Sequence, residues 1–496
     1  MYQKHRIPLP GKMSDGRTAV ERAAPFHASD PRNTMLKRPI PAIFLFLLLC
    51  LVTTGSAGAD VTLTVLQTTD IHGSPGLPRL CAIIRQQRAA DPDLILIDCG
   101  DLIQGSFEAT VDQGGSAADL FLQNGYDVYV PGNHDFDFGT KRFLRHLTQM
   151  EKIFTAANLH IAGHQTVPYR IIQRKGLRIA VIGITAPYLD HWTGLARLPG
   201  ITTGKITDTL LRIMPQVRRE KPHIIVLALH LGEYTSRRLT RTGETGHLSH
   251  LTTQFPEIDL ILGGHSHATV PGKALPPSTW FVQAPPHAEG LAKIRISYDT
   301  ATQQLINIQS EILFADETAA APGPDLPHSW QKNLHRADTA EKQIIAPGLP
   351  DNVPLAEICA KAMIHAAKTD CAFFGTSQKY VRGDRPLTAG QLHRLLPYEN
   401  RITVLTLTPR QIRQITDEQQ TFQQSKHQSR LTRYGQEITS GMYTVAFSSY
   451  DVSGAGGRFP VLKSIADSGT VRRKDLELNV RECTANYIKE KYSAGK

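Results

Sequence analysis

The sequence predicts an α/β protein in two unequal domains, the larger a layered arrangement of strands covered by helices. Three observations predict it. Short apolar runs at 61–66, 94–97, 128–130, 179–184, 224–229 and 258–262 alternate with helix-like stretches such as 80–90 and 141–150, the pattern of strands buried by helices. At 496 residues the chain exceeds what one hydrophobic core usually fills. A stretch rich in Ala, Pro and Gly at 319–327 marks a boundary between the two parts.

Taken in order, the first feature is Lys37-Arg38-Pro39, an apolar run over 40–52 and then Ala57-Gly58-Ala59, the order of a secretory signal. The mature start is expected near Asp60, within a leader spanning 1–59. The apolar run is shorter than the ~20 residues of a spanning helix, so no stable membrane span is expected after cleavage. The protein is therefore expected to be exported, periplasmic or secreted. Residues 1–34 are a polar lead-in, and Met35 stands where a signal of ordinary length begins, which leaves Met1 and Met35 as alternative starts. The larger domain is expected over 60–325, one polar connecting helix over 326–345, and the smaller domain over 346–496. That last unit opens with a helical pattern at 355–367 and contains the turn-rich Gly454-Ala455-Gly456-Gly457.

A hydrophobic fraction of 41% and a charged fraction of 20% exclude a disordered, collagen-like or disulfide-dense chain. The formal net charge is +10, and residues 1–59 supply half of it, with eight Lys/Arg against three Asp/Glu. No run of Lys/Arg and no basic stripe with interleaved aromatics occurs, so no nucleic-acid polymer is expected as partner. A small anionic substrate suits the balance better. Beyond the leader lie Cys81, Cys99, Cys359, Cys371 and Cys483, without a CxxC or any zinc-like spacing. Their odd number leaves at least one free thiol. Cys81 and Cys99 fall in apolar segments and read as buried small hydrophobes, with one disulfide allowed in an oxidising compartment.

Five of the apolar runs stop directly at residues that bind metals. The run at 61–69 leads into Asp70-Ile71-His72, that at 94–97 into Asp98-Cys99-Gly100-Asp101, and that at 128–130 into Gly132-Asn133-His134-Asp135. The run at 224–229 ends at His230, and that at 258–262 at Gly263-Gly264-His265-Ser266-His267. In open α/β sheets, ligands bind beyond the carboxyl ends of the strands, so the five ends are expected to converge on one site. The two-residue spacing of Asp70 with His72, and of His265 with His267, puts each pair on one side of an extended backbone. Carboxylate, imidazole and amide oxygen together suit Zn, Mn, Fe or Co, whereas Mg or Ca alone would rarely use four histidines. Two divalent ions ~4 Å apart need a bridging carboxylate and can clamp both oxygens of an in-line displacement at phosphorus. Asp101 is the natural bridge. Each of these short motifs alone is more often a turn or a cap; five in order, each ending an apolar run, carry the inference.

In this order, DxH, GD, GNH(D/E), a lone His and GHxH resemble the signature of calcineurin-type metallophosphoesterases. Residues 132–139, Gly-Asn-His-Asp-Phe-Asp-Phe-Gly, are similar to the branch of 5'-nucleotidases and 2',3'-cyclic-nucleotide phosphodiesterases. The resemblance implies a four-layer αββα metallophosphoesterase sandwich followed by a smaller α/β substrate-binding domain. It implies one ion on Asp70, His72, Asp101 and His267, and the other on Asp101, Asn133, His230 and His265. It also implies that His134 is catalytic rather than a ligand and pairs with Asp137. A spacing of three puts those two on one face if a helix begins there, and the carboxylate favours an imidazolium able to stabilise phosphoryl charge.

The carboxyl-terminal unit resembles the family's second domain through Pro386-Leu387-Thr388 and Pro397-Tyr398-Glu399-Asn400. The resemblance implies that Tyr398 and Asn400 contact the base and sugar of a nucleotide, a role for which an aromatic face is suited. Lys379 stands where the family has the arginine of Asn-Gly-Gly-x-x-Arg. In the stretch 450–458, Val452 takes the usual stacking aromatic's place, Tyr450 is the expected substitute, and Arg458 replaces an aspartate. The implied activity is hydrolysis of phosphate esters, nucleoside 5'-monophosphates first, by in-line attack of a metal-activated hydroxide. Rival readings on the same metals are a phosphodiesterase, a nucleotide-sugar hydrolase, a sulfur-ester hydrolase and a non-catalytic nucleotide-binding protein, because fold does not fix substrate.

Overall fold

The computed structural model describes residues 60–187, 189, 198–233, 248–315, 326–350, 353–376, 380–381, 385–423, 428–433, 438–454 and 459–492. The leader and nearly all of the boundary at 319–327 fall outside them.

Strands formed where the apolar runs predicted them, in two sheets. The first sheet has the order Gln304–Phe314, Gly290–Asp299, Asp60–Thr68, Ile95–Asp98, Val128–Tyr129. Its last three strands are parallel, and Gly290–Asp299 pairs antiparallel with the first of them. The second sheet has the order Val270–Leu275, Thr279–Gln283, Leu260–Leu262, Ile224–Leu229, Leu177–Ile184, Tyr169–Arg174. Its four central strands are parallel.

The two-residue period of each strand sorts its side chains between two cores. Leu63, Val65, Ile95 and Ile97 of the first sheet meet Ile179, Val181, Ile224 and Val226 of the second in one buried cluster, which is the interface between the sheets. On the other side of the first sheet, Leu66 and Leu96 pack with Leu80, Ile84, Leu120 and Phe121 of the helices Leu77–Ala90 and Gly115–Leu122. On the outer side of the second, Ile182, Leu227 and Leu229 pack with Ile213, Met214 and Val217 of the helix Ile206–Arg219. The result is the four-layer αββα sandwich. Because each buried Leu, Ile or Val contributes about 1.5–3 kcal/mol, a register slip by one residue would exchange the two faces and is strongly opposed.

The connecting helix runs from His328 to Glu341, four residues short of the expected end. The β-branched pair Ile344-Ile345 leaves it for a short strand, Ile344–Ala346, paired with Leu387–Thr388. The side chain of Asn333 on this helix donates to the Glu108 carbonyl at 2.8 Å and to Ser116 Oγ at 3.1 Å. A third sheet follows, in the order Gln428–Arg433, Cys371–Thr376, Tyr443–Ser448, Arg401–Leu407, Arg472–Asn479. The helices Leu355–Ala367 and Val480–Tyr492 share a core with residues of this sheet. Residues 58–496 cluster as one compact unit. The five cysteines beyond the leader are all free and buried. No helix among the described residues is long and apolar enough to cross a membrane.

Candidate metal centre

The five motif-bearing strand ends converge, three from the first sheet and two from the second. Asp70 and His72 follow Asp60–Thr68, Asp101 follows Ile95–Asp98, and Asn133 and His134 follow Val128–Tyr129. His230 follows Ile224–Leu229, and His265 and His267 follow Leu260–Leu262. The parallel strands of both sheets therefore present their carboxyl ends to the same place.

The donor atoms fall into two groups, Asp70 with His72 and His267, and Asp101 with His230 and His265, each within 4.8 Å. Asp101 Oδ2 sits between the groups, 3.1 Å from His230 Nε2 and 3.9 Å from His72 Nε2. Asn133 Oδ1 lies 3.2 Å from His230 Nε2 and so joins the second group. His267 Nε2 is 3.5 Å from Asp70 Oδ1.

Second contacts fix the imidazoles. His72 Nδ1 donates to the Gln104 carbonyl at 2.6 Å, and His230 Nδ1 to the Cys99 carbonyl at 2.5 Å. Each bond leaves Nε2 facing the cluster. His72 Nε2 then stands 3.0 Å from His267 Nε2. Burial lowers His72 and His265 to about 3 and His267 to about 4, so all three are neutral and offer lone pairs. Burial would also lower His230, but Asp101 and Asp70 outweigh it and raise it to about 10. Burial opposes the charge of Asp101 as well, yet His230, His134 and His72 hold it well below the usual carboxylate range.

Two observations show that this donor set fits divalent ions. Asp101 Oδ2 is buried, 3.1 Å from His230 Nε2 and 3.9 Å from His72 Nε2, and so places an anionic oxygen within reach of both groups. His72 Nε2, its ring proton committed to the Gln104 carbonyl, also presents a lone pair beside His267 Nε2 at 3.0 Å, so both rings can turn a nitrogen toward one cation.

The backbone is distorted to build this geometry. Asp70, His72, Asp101, His265 and His267 have φ of 51°, 55°, 58°, 68° and 56°, the left-handed region that non-glycine residues avoid. Strain of this kind persists only where surrounding contacts fix it, and it concentrates at functional sites. Gly100, at φ 97°, is required: a Cβ there would lie 2.8 Å from both Gly132 Cα and His230 Nδ1.

His134 lies outside both donor groups. Its Nδ1 is 2.7 Å from Asp137 Oδ2, and the turn His134–Phe136 brings the pair together through one 3-10 turn rather than an α-helix. Burial lowers the His134 imidazole, but Asp137 and Asp101 outweigh it and raise it to about 9. The His134 ring stacks on Tyr398, with centroids 5.3 Å apart and planes 15° from parallel. Tyr398 remains 53% exposed, so it also offers surface to a ligand.

Among the other expected substrate contacts, Asn400 is half-buried and its carbonyl accepts from Val480 N at 2.8 Å. Tyr450 is half-buried against a core of the third sheet, in which Val452 is fully buried. Lys379 and Arg458 fall outside the described residues.

Four residues at the site escape sequence reasoning. Asp135 accepts from the backbone N–H groups of Asp101, Leu102, Ile103 and Gly132 at 2.7–3.1 Å and so fixes the loop that carries Asp101. Its place in Gly-Asn-His-Asp is a signal that could have marked it. Gln104 and Arg481 carry no local signal. His287 also lacks one, although its ring lies 5.2 Å from His72 and 5.1 Å from His267 and its φ is 56°.

Residues 63–269 match the Calcineurin-like phosphoesterase family, and the chain therefore carries a domain of that metallophosphoesterase family. Among sequence relatives, the 2',3'-cyclic-nucleotide 2'-phosphodiesterase/3'-nucleotidase of Yersinia enterocolitica is 28% identical over 48% of this chain and 41% of its own length. The endonuclease YhcR of Bacillus subtilis is 24% identical over 68% of this chain and 30% of its own. Each alignment takes in less than half of the relative. A solved structure described as a 5'-nucleotidase of Staphylococcus aureus superposes with a TM-score of 0.73 at 16% identity, over 88% of this chain and 98% of that one. At that identity the likeness is one of fold.

Proposed function

We propose that this chain is a dinuclear-metal phosphoesterase whose substrates include nucleoside 5'-monophosphates. In this reading Asp70, His72, Asp101 and His267 hold one divalent ion, and Asp101, Asn133, His230 and His265 the other. The observation that carries the metal reading is the buried Asp101 carboxylate between two groups of metal-binding atoms. When bound, such ions polarise the phosphoryl group as Lewis acids.

The chain's own residues supply the rest. His134, its Nδ1 held by Asp137, presents a positive edge to charge developing on the phosphoryl or leaving oxygen. Tyr398 beside it offers an aromatic face to a base, and Asn400 an amide to the sugar. Lys379, Tyr450 and Arg458 are further proposed contacts to the substrate. The reading divides the chain into a metallophosphoesterase domain over 60–325, a connecting helix over 326–345 and a substrate-binding domain over 346–496, exported to the periplasm or beyond through the signal at 37–59.

The test is a substrate panel on metal-stripped protein reconstituted with Zn, Mn, Fe or Co. AMP, 2',3'-cyclic AMP and p-nitrophenyl phosphate should separate the readings. Faster turnover of AMP than of the cyclic ester supports the 5'-nucleotidase reading, and the reverse supports the phosphodiesterase named among the relatives. Bound metal with no turnover of any ester would leave only a binding protein.

A further inference from the structure

The Tyr398 segment is short, and its backbone acceptors are almost all taken. The Leu396 carbonyl accepts from Arg481 Nη1 at 2.9 Å, and the Asn400 carbonyl from Val480 N at 2.8 Å. The Glu399 carboxylate, buried, accepts from Arg481 and from Asn479 Nδ2, the latter at 2.7 Å. These donors all come from residues 479–481, on the third sheet's side. The Pro397 carbonyl is different: it accepts from Gln104 Nε2 at 2.9 Å, across 293 residues of sequence.

Gln104 sits three residues after the bridging Asp101 and is wholly buried. Its main-chain carbonyl is the acceptor that orients His72, at 2.6 Å. One residue thus holds a proposed metal ligand through its backbone and the Tyr398 segment through its side chain. The second contact is specific in what it fixes. The carbonyl of Pro397 belongs to the rigid peptide plane that ends at Tyr398 Cα, and the proline ring already restricts the torsion before it. Anchoring that oxygen therefore sets the plane from which the Tyr398 side chain departs.

We propose that Gln104 is a positioning residue that sets Tyr398 against His134, and so aligns base recognition with the metal cluster. The inference rests on the proposed role of Tyr398 as the base contact. Its effect is on alignment rather than on docking, because Thr110 Oγ1 meets His393 Nε2 at 3.1 Å and the Phe107 and His393 rings lie 5.5 Å apart. Those contacts keep the preceding helix, Ala389–Leu395, in place without the amide.

The experiment uses the full-length, metal-loaded protein and Gln104→Met, which keeps the length of the side chain and removes its donor. Metal content by elemental analysis should be unchanged, since His72 relies on a main-chain carbonyl. The ratio of kcat/KM for AMP to that for p-nitrophenyl phosphate should fall about tenfold, mainly through KM for AMP. Tyr398→Ala should lower the same ratio, and the double variant should lower it no further than Tyr398→Ala alone. An unchanged ratio in Gln104→Met, losses that add in full, or loss of metal overturns the proposal. If Tyr398→Ala itself leaves the ratio unchanged, the base-contact reading falls as well, whereas a drop in Tyr398→Ala alone rejects only the role of Gln104. Should Gln104→Met fail to fold, Gln104→Asn withdraws the amide by one methylene and permits the same comparison.

Discussion

Replacing Asp135 by asparagine changes one oxygen to an NH₂ and leaves the shape intact, yet it strikes at the support of the Asp101 loop. Asp135 Oδ1 accepts from Leu102 N at 2.9 Å and Ile103 N at 3.1 Å, while Oδ2 accepts from Asp101 N at 2.8 Å and Gly132 N at 2.7 Å. An amide retains one acceptor oxygen, so two of the four N–H groups lose their partner and face another donor. Leaving a buried donor unsatisfied costs roughly 1–3 kcal/mol, which places the loss of stability at about 2–6 kcal/mol. Burial and the neighbouring Asp101 push the Asp135 carboxyl up to about 6, so the comparison belongs at pH 7.5, where it is ionised. Denaturant unfolding of the metal-stripped proteins measures the stability term, and elemental analysis of reconstituted protein measures the ions retained. Stability within 0.5 kcal/mol of the parent, on the scale of an ordinary surface change, together with full metal content, would refute the reasoning.

Asp101→Ala should lose both ions together and with them all turnover, because one carboxylate lies between the two groups; elemental analysis showing two retained ions would count against the bridge. His134→Ala should keep the ions and lose about 10²- to 10⁴-fold in rate, and a fall in metal content would show that it is a ligand after all. Asp259 supplies a pH effect remote from the donor groups. Burial raises its pKa from 3.8 to about 6 although Ile225 N donates to it. A carboxyl raised on folding stabilises the native state below its unfolded pKa and loses that contribution as pH rises through the folded value. Asp259→Asn should therefore gain about 2–3 kcal/mol relative to the parent on going from pH 4 to pH 8. An equal difference between the two proteins at both pH values, by denaturant unfolding, would contradict the shift.

Much of the candidate centre was legible along the chain because its donor residues follow strand ends. A parallel strand buried on both faces reads as a continuous apolar run, and whatever polar residue terminates the run is exposed to the crevice beyond it. That is why Asp70, His72, Asp101, Asn133, His230, His265 and His267 could be named, and why the helices at 77–90 and 140–150 fell close to their expected bounds. The turn at His134–Phe136 was expected only conditionally as a helix, since three residues do not distinguish 3-10 from α geometry.

The sequence by itself determined the donor set, its order and the residue types suited to divalent ions, because these are properties of side chains and local spacing. Tertiary structure alone decided that three of the five ends come from one sheet and two from the other, that Asp101 Oδ2 lies between both groups, and that five donor-bearing residues occupy left-handed backbone. It also decided the supports. Asp135 reaches back across some thirty residues to the Asp101 loop, Gln104 reaches Pro397 across 293, and Arg481 clamps Glu399 across 82. A hydrogen bond depends on where two backbones approach in space, and periodicity along one stretch carries no record of what a distant stretch will place against it.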